Sequence, residues 1–277
     1  MKIIDSHCHI DWFKNIDLPK IIEDVSEIYA VSISYESSLK VLDIASKYST
    51  VKVALGIHPE YFEYYEEFEQ IRKLIIKNRD KLYAIGEVGL PYFSILEKNI
   101  EEKEQLYNKG LELLEKFILL AKELNLPLVL HATQSTSKDA LKLLKKYNIK
   151  NVLFHWLHCD IKTAKEIFNS NFFASVSVDI IHNREYLEFV TTIPLKNLLI
   201  ESDSPWKYDD NSSKPKDVYK VLEKLSVIHG ISINELNDIC NRNMELFLKM
   251  NLITESEIIV VRSEEHTSEL QSRQCIS

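Results

Sequence analysis

Glycine is scarce in this chain, with five residues in 277. So few glycines leave no flexible linker to divide the chain. Nor does a Gly-rich turn follow the first apolar run, where a dinucleotide-binding open sheet would place one. Four cysteines over this length make no disulfide framework, and Cys8 and Cys159 sit among histidines, so reduced thiols are expected. No apolar run approaches the length of a membrane-spanning helix, and the stretch before Asp5 is too short for the apolar region of a signal peptide. A cytoplasmic protein with no membrane association and no obligate protein partner is the expectation. Positive charge is also in deficit. The net charge of −8 disfavours tight, salt-sensitive binding to duplex nucleic acid.

What the chain does contain is ordinary for a soluble domain: 45% hydrophobic and 27% charged residues, enough to fill a sizeable core. Short β-rich runs alternate with longer helical ones. The strand-like runs are 2–10, 28–34, 51–59, 82–90, 126–133, 151–158, 172–179 and 197–205. Helical patterns lie between and after them, at 37–48, 66–79, 101–125, 137–147, 162–169, 216–229 and 233–250. Eight strands separated by helices predict parallel βαβ units and a single-domain α/β fold, the (β/α)8 TIM barrel. The runs are mostly continuous and apolar, as strands covered on both faces should be. "WKYDDNSSKPK" (206–216) reads as a polar loop, and "EYFEYYEEFEQ" (60–70) as a solvated turn leading into an amphipathic helix.

The chemistry gathers at the strand ends. "DSHCHI" puts His7 and His9 two apart, so on a strand they share a face and can converge on one ion. Further ionisable groups close other strands: His58 in "GIHP", Glu87 in "GEVG", His131 in "LHA", His155 in "FHW" and Asp203 in "ESDSP". Burying so many unpaired groups would be costly, and a shared cation removes that cost. Several imidazoles and two carboxylates exceed the needs of one tetrahedral ion. Two ions bridged by a carboxylate fit the number better.

In "DSHCHID", "GIHPE", "AIGEVGL", "LPLVLHA", "LFHW", "ESDSPW" and "NRNMELF", in this order over about residues 3–250, the chain resembles the TatD-like metal-dependent hydrolases of the amidohydrolase superfamily. The resemblance implies one or two divalent ions (Zn, Mg or Mn). It implies that His7 and His9 hold the first ion, Glu87 bridges, and His131 and His155 hold the second. Asp203 would ligate and orient or deprotonate the attacking water, which makes Asp203 and Glu87 the catalytic pair. The family's usual activity is phosphodiester hydrolysis of DNA, often from the 3′ end of single strands, so single-stranded DNA ends or a small phosphodiester are the implied substrates.

The chain departs from the family at Pro91, where Asp is common, and at Thr133, where Arg is common. It also reads Trp156-Leu157-His158-Cys159-Asp160 after the strand-6 histidine, where the family often has Cys-Phe-Ser/Thr-Gly. These are substrate-facing positions, and all six ligand positions are kept. His58, His158 and Trp206 are candidate substrate contacts. Two other readings stay open: an amidohydrolase acting on a small amide, ester or lactone, and a catalytically weak, metal-stabilised binding protein. "NRNMELF" is expected to pack the last helix under the barrel, with Asn243 hydrogen-bonding near strand 8.

The barrel is expected to span residues 1–261. The tail "RSEEHTSELQS" (262–272) has no periodicity and corresponds to the translation of a common short-read sequencing adapter, so 262–277 are expected to be non-native or a disordered tail.

Overall fold

The computed structural model describes residues 1–208 and 211–249. The tail 262–277 therefore lies outside the described residues. Eight parallel strands follow one another in sequence order: β1 (Ile4–Cys8), β2 (Glu27–Ala30), β3 (Val51–Leu55), β4 (Leu82–Gly89), β5 (Leu128–His131), β6 (Val152–Phe154), β7 (Phe173–Val176) and β8 (Leu198–Ile200). The seam between β8 and β1 is joined past the end of β8. Asp203 N donates to His7 O at 3.1 Å and His9 N to Ser204 O at 2.8 Å. The Asp5 carboxylate reinforces the seam by accepting from Ser202 N at 2.9 Å and Ser202 Oγ at 2.5 Å. This is the expected TIM barrel.

The helices are α1 (Leu18–Glu23), α2 (Tyr35–Lys47), α3 (Phe68–Asn78), α4 (Ile100–Leu124), α5 (Thr136–Lys146), α6 (Ile161–Asn169), α7 (Arg184–Val190), α8 (Val218–His229) and α9 (Ile233–Lys249). Short polar side chains start several of them by accepting an otherwise unpaired N–H: Ser34 for α2, Asn99 for α4, Asp160 for α6 and Asn183 for α7. The strands are shorter than the apolar runs suggest. His9, His58, His155 and Asp203 consequently stand just past the strand ends, where their N–H groups still donate to carbonyls of the neighbouring strand segment. Part of the polar segment at 206–216 forms a short ladder. Lys207–Tyr208 (β9) pairs antiparallel with Asn211–Ser212 (β10).

Two cores position the site. The larger lies between the sheet and the helices. The smaller fills the barrel and takes one residue from each strand: Ile4, Tyr29, Ala54, Ala84, Val129, Leu153, Phe173 and Leu199. Met244 and Phe247 of α9 plug its lower end. Asn243 fixes that helix by donating to Leu195 O and Leu198 O, both at 2.7 Å, as expected for "NRNMELF".

Side chains two apart on a strand share a face. His131, His155 and Glu201 therefore lie above Val129, Leu153 and Leu199, on the wall of the barrel interior. On β1 and β4 the pairing register shifts between Asp5 and Cys8 and between Ile85 and Val88. His7 and Glu87 stand beside those irregularities, a common device for re-aiming a side chain at a site.

Candidate metal centre

Glu87 is at the middle of the site and is wholly buried. Its strand approaches its neighbours closely, which explains the glycines around it. A Cβ on Gly86 would fall 2.7 Å from Val129 Cβ, and one on Gly89 only 1.8 Å from His131 O. The two carboxylate oxygens of Glu87 face different imidazoles. Oε2 lies 3.2 Å from His7 Nε2 and 3.5 Å from His9 Nε2. Oε1 lies 2.8 Å from His155 Nε2, 3.1 Å from His131 Nδ1 and 3.2 Å from His58 Nε2. Asp203 completes the first side, with Oδ1 at 3.6 Å from His7 Nε2 and 3.5 Å from His9 Nε2.

Two groups of donor atoms close enough to share a cation result: His7, His9 and Asp203, and His58, Glu87 and His131. His7, His155 and Glu201 form a third. His155 turns its Nε2 to Glu87, however, and its Nδ1 to Glu201 Oε1 at 3.4 Å. Glu201 therefore sits behind His155, and Ser175 donates to its other oxygen.

The polar atoms test whether a cation fits. His7 Nε2, Glu87 Oε2 and Asp203 Oδ1 are buried and make no hydrogen bond of proper geometry. Orphaned donors and acceptors at such depth cost about 1–3 kcal/mol each. A divalent ion would satisfy all three at once, and the imidazole and carboxylate donors suit Zn, Mn or Mg. The donor set fits.

Electrostatics already runs in the direction that ligation needs. Burial alone would raise the Glu87 carboxyl, but His155, His58 and His7 outweigh it and hold the group well below the usual carboxylate range. Asp203 is likewise held down against its burial by His9, His155 and His7. Burial lowers His7, and His155 beside it lowers it further. Its ring stacks on that of His155 at 4.0 Å and 10°.

Every residue expected as a ligand is brought to this centre. His58, a candidate substrate contact, joins the imidazole cluster, with its ring 4.6 Å from that of His131. His158 stands apart, packed against Tyr186 and Phe189, with Nδ1 at 3.2 Å from Gln134 Nε2. Trp206 follows Asp203 closely, and its backbone N–H donates to Asp203 O at 2.9 Å.

Two of the departures from the family pattern, Pro91 and Thr133, have structural occupations. Pro91 abuts α4, its Cδ lying 2.7 Å from where a Cβ on Gly110 would be. Thr133 donates its hydroxyl to His158 O at 3.1 Å.

Two acids were not singled out from the sequence. Glu201 is part of "ESDSP", and its place two residues beyond buried Leu199 is a usable signal. Glu60 is the larger surprise. It lies in the acidic–aromatic run that reads as solvated, yet its Oε1 meets His131 Nε2 at 3.2 Å. It also accepts from the backbone N–H of Tyr92, Phe93 and Ser94 at 2.7–3.0 Å. These donors, His131 and Ser94 Oγ hold its carboxyl far below the ordinary range despite burial. The rest of that run behaves as expected, as a 3-10 turn followed by α3.

Comparison with known proteins agrees with this geometry. The family profile described as "TatD related DNase" matches residues 4–249. A protein of Haemophilus influenzae named an uncharacterized metal-dependent hydrolase is 31% identical over 255 residues, covering 90% of this chain and 100% of that one. Among solved structures, the TatD homologue YJJV from Escherichia coli K12 superposes with a TM-score of 0.74 at 22% identity, over 89% of this chain and 97% of that one. A TatD-family hydrolase from Entamoeba histolytica gives the same TM-score at 19% identity, over 89% and 98% of the two chains. Barrel, buried imidazole–carboxylate cluster and sequence relatives agree, and the chain belongs to the TatD-related family of metal-dependent hydrolases.

Proposed function

We propose that this protein is a divalent-metal-dependent deoxyribonuclease that cleaves phosphodiester bonds at single-stranded ends. The observation that carries the reading is the division of Glu87 between two imidazole sets, with Oε2 toward His7 and His9 and Oε1 toward His131 and His155. In this reading His7, His9 and Asp203 would hold one ion, His131 and His155 would hold the other, and Glu87 would serve both. A bound divalent ion supplies Lewis acidity, which acidifies water and offsets charge on a phosphoryl oxygen.

The remaining work falls to the chain. The buried Asp203 carboxylate, one oxygen of which would ligate, orients the attacking water and accepts its proton. Glu201 keeps the His155 ring turned so that Nε2 faces Glu87. His58, beside Glu87 Oε1 and mostly but not wholly buried, is placed to meet a non-bridging phosphate oxygen. The hydrolase barrel is assigned to 1–261 and residues 262–277 are read as non-native, which resequencing the source DNA across codon 262 decides.

The test is incubation of metal-loaded protein with end-labelled single-stranded DNA, beside a panel of small esters, lactones and amides. Progressive shortening of the DNA is the expected result, with turnover reduced about 10²- to 10⁴-fold in Asp203→Asn, the range for a lost proton acceptor. Turnover of the small substrates alone would replace this reading with an amidohydrolase. No turnover of anything, with metal tightly held, would make the protein a binding module.

A further inference from the structure

The chain has three tryptophans, and each stands on a loop that leaves a strand bearing a candidate ligand. Trp12 follows β1 and His9, Trp156 directly follows His155, and Trp206 follows β8 and Asp203. Trp12 lies nearly flat on His9, with ring centroids 4.6 Å apart and planes at 19°. Trp156 is held edge-on to Trp206 at 6.1 Å and 78°. Its side chain also hydrogen-bonds Asp179, and its backbone is left-handed with φ 40°. Such backbone strain in a bulky residue is kept only where the surroundings enforce it, and it concentrates at functional sites.

Trp12 and Trp206 remain 39% and 47% exposed. The loops that carry them are joined by the His9 N to Ser204 O hydrogen bond, which brings the two segments side by side at the β1–β8 seam. Phe93, 57% exposed, stands on the loop that Glu60 clamps, 6.3 Å from the His131 ring. Large aromatic rings are normally withdrawn from water, and here three exposed ones, Trp12, Trp206 and Phe93, stand beside residues of the candidate centre. The side chains beneath them are carboxylates and imidazoles, and the whole chain carries a net charge of −8. That surface offers a nucleic-acid backbone little. A flat indole, by contrast, offers an unpaired base a stacking partner regardless of sequence. In a duplex those base faces are already stacked on their neighbours.

Building on the nuclease reading, we propose that Trp12 and Trp206 form a stacking subsite for an unpaired nucleobase adjoining the scissile phosphodiester. Selection for single strands then comes from the rim, while bond cleavage comes from the buried centre. Sequence preference is weak, because every base has a π-face.

The test measures binding rather than turnover. Zinc-loaded full-length protein is titrated with a cleavage-resistant phosphorothioate octathymidylate, and in parallel with the same backbone carrying abasic residues. Tryptophan emission and affinity are both read. The base-bearing oligomer should quench the emission and bind roughly 5- to 100-fold more tightly than the abasic one, the range for one stacked base. Trp206→Ala and Trp12→Ala should each reduce that ratio, and Trp206→Phe should restore most of it. Should Trp12→Ala disturb folding by uncovering His9, the Trp206 pair still decides. Equal binding of the two oligomers by the unaltered protein, absence of binding, or a ratio unchanged in Trp206→Ala overturns the subsite. Failure of the nuclease reading looks different: base-dependent binding persists while an ordinary phosphodiester oligomer is never cut.

Discussion

Glu60 and His131, 71 residues apart in sequence, meet with Oε1 3.2 Å from Nε2, while the other nitrogen of the same ring lies 3.1 Å from Glu87. A carboxylate behind an imidazole fixes its tautomer. With Nε2–H donated to Glu60, the lone pair of Nδ1 points to the centre of the barrel. The three N–H donors of residues 92–94 keep Glu60 in place, so one side chain couples the loop after β3, the loop after β4 and the ring at the end of β5.

Loss of this partner should be felt in metal affinity. In Glu60→Ala, one class of bound ion is expected to weaken about 10- to 100-fold, the usual effect of removing an outer-shell carboxylate. Glu60→Gln, which keeps the shape but not the charge, should fall between. Titration against a chromophoric chelator measures both. An unaltered affinity accompanied by a lower melting temperature would reduce Glu60 to a loop clamp.

Glu87 is the group most exposed to direct test. Elemental analysis of the unaltered protein should give two divalent ions per chain, and Glu87→Ala should lose the second along with activity. Its fold should persist, since the barrel's inner core of one residue per strand lies below Glu87 and does not include it. A variant that keeps two ions or full activity would refute the bridging role.

Chelation should destabilise the protein, because it returns His7 Nε2, Glu87 Oε2 and Asp203 Oδ1 to an unsatisfied state. Restoring an ion to about 100 times its Kd contributes ~2.7 kcal/mol. For a chain of this size that corresponds to a rise in Tm of roughly 5–10 °C. Differential scanning calorimetry with and without a chelator checks it, and a Tm indifferent to both chelator and added metal would show that no ion is held here.

The barrel is legible in the sequence because buried parallel strands are near-continuous apolar runs, and eight of them alternate with helical periodicity. The candidate ligand set is legible for a related reason: histidines and acids interrupt those runs where a strand should be burying valine and leucine. Short helices are harder to see. α1 and α7 span 6 and 7 residues, too few for a 3.6-residue period to declare itself. Glu60 is hidden by its setting, since an acid among Tyr and Glu residues looks solvated until the backbone N–H groups some 32 residues later are brought against it. The orientation of His58 is hidden for a similar reason. Its position three residues beyond β3 fixes which strand it follows but not that its ring turns inward to Glu87.

Two glycines separate stability from function in a single comparison. Gly230 ends α8 with φ at +65° and open space around its missing side chain. Gly230→Ala should therefore cost about 1 kcal/mol of backbone strain and leave metal binding alone. Gly89 has the opposite constraint. Its Cβ would sit 1.8 Å from His131 O, and neither strand can retreat without moving the other. Gly89→Ala should lose roughly 3 kcal/mol or more, at the upper end of overpacking effects. It should also weaken metal binding, because the displaced backbone is that of His131. Urea denaturation gives the first quantity and chelator competition the second. Unchanged metal affinity in Gly89→Ala would mean that His131 holds its place without the close β4–β5 contact, and the assignment of that contact to building the site would fail.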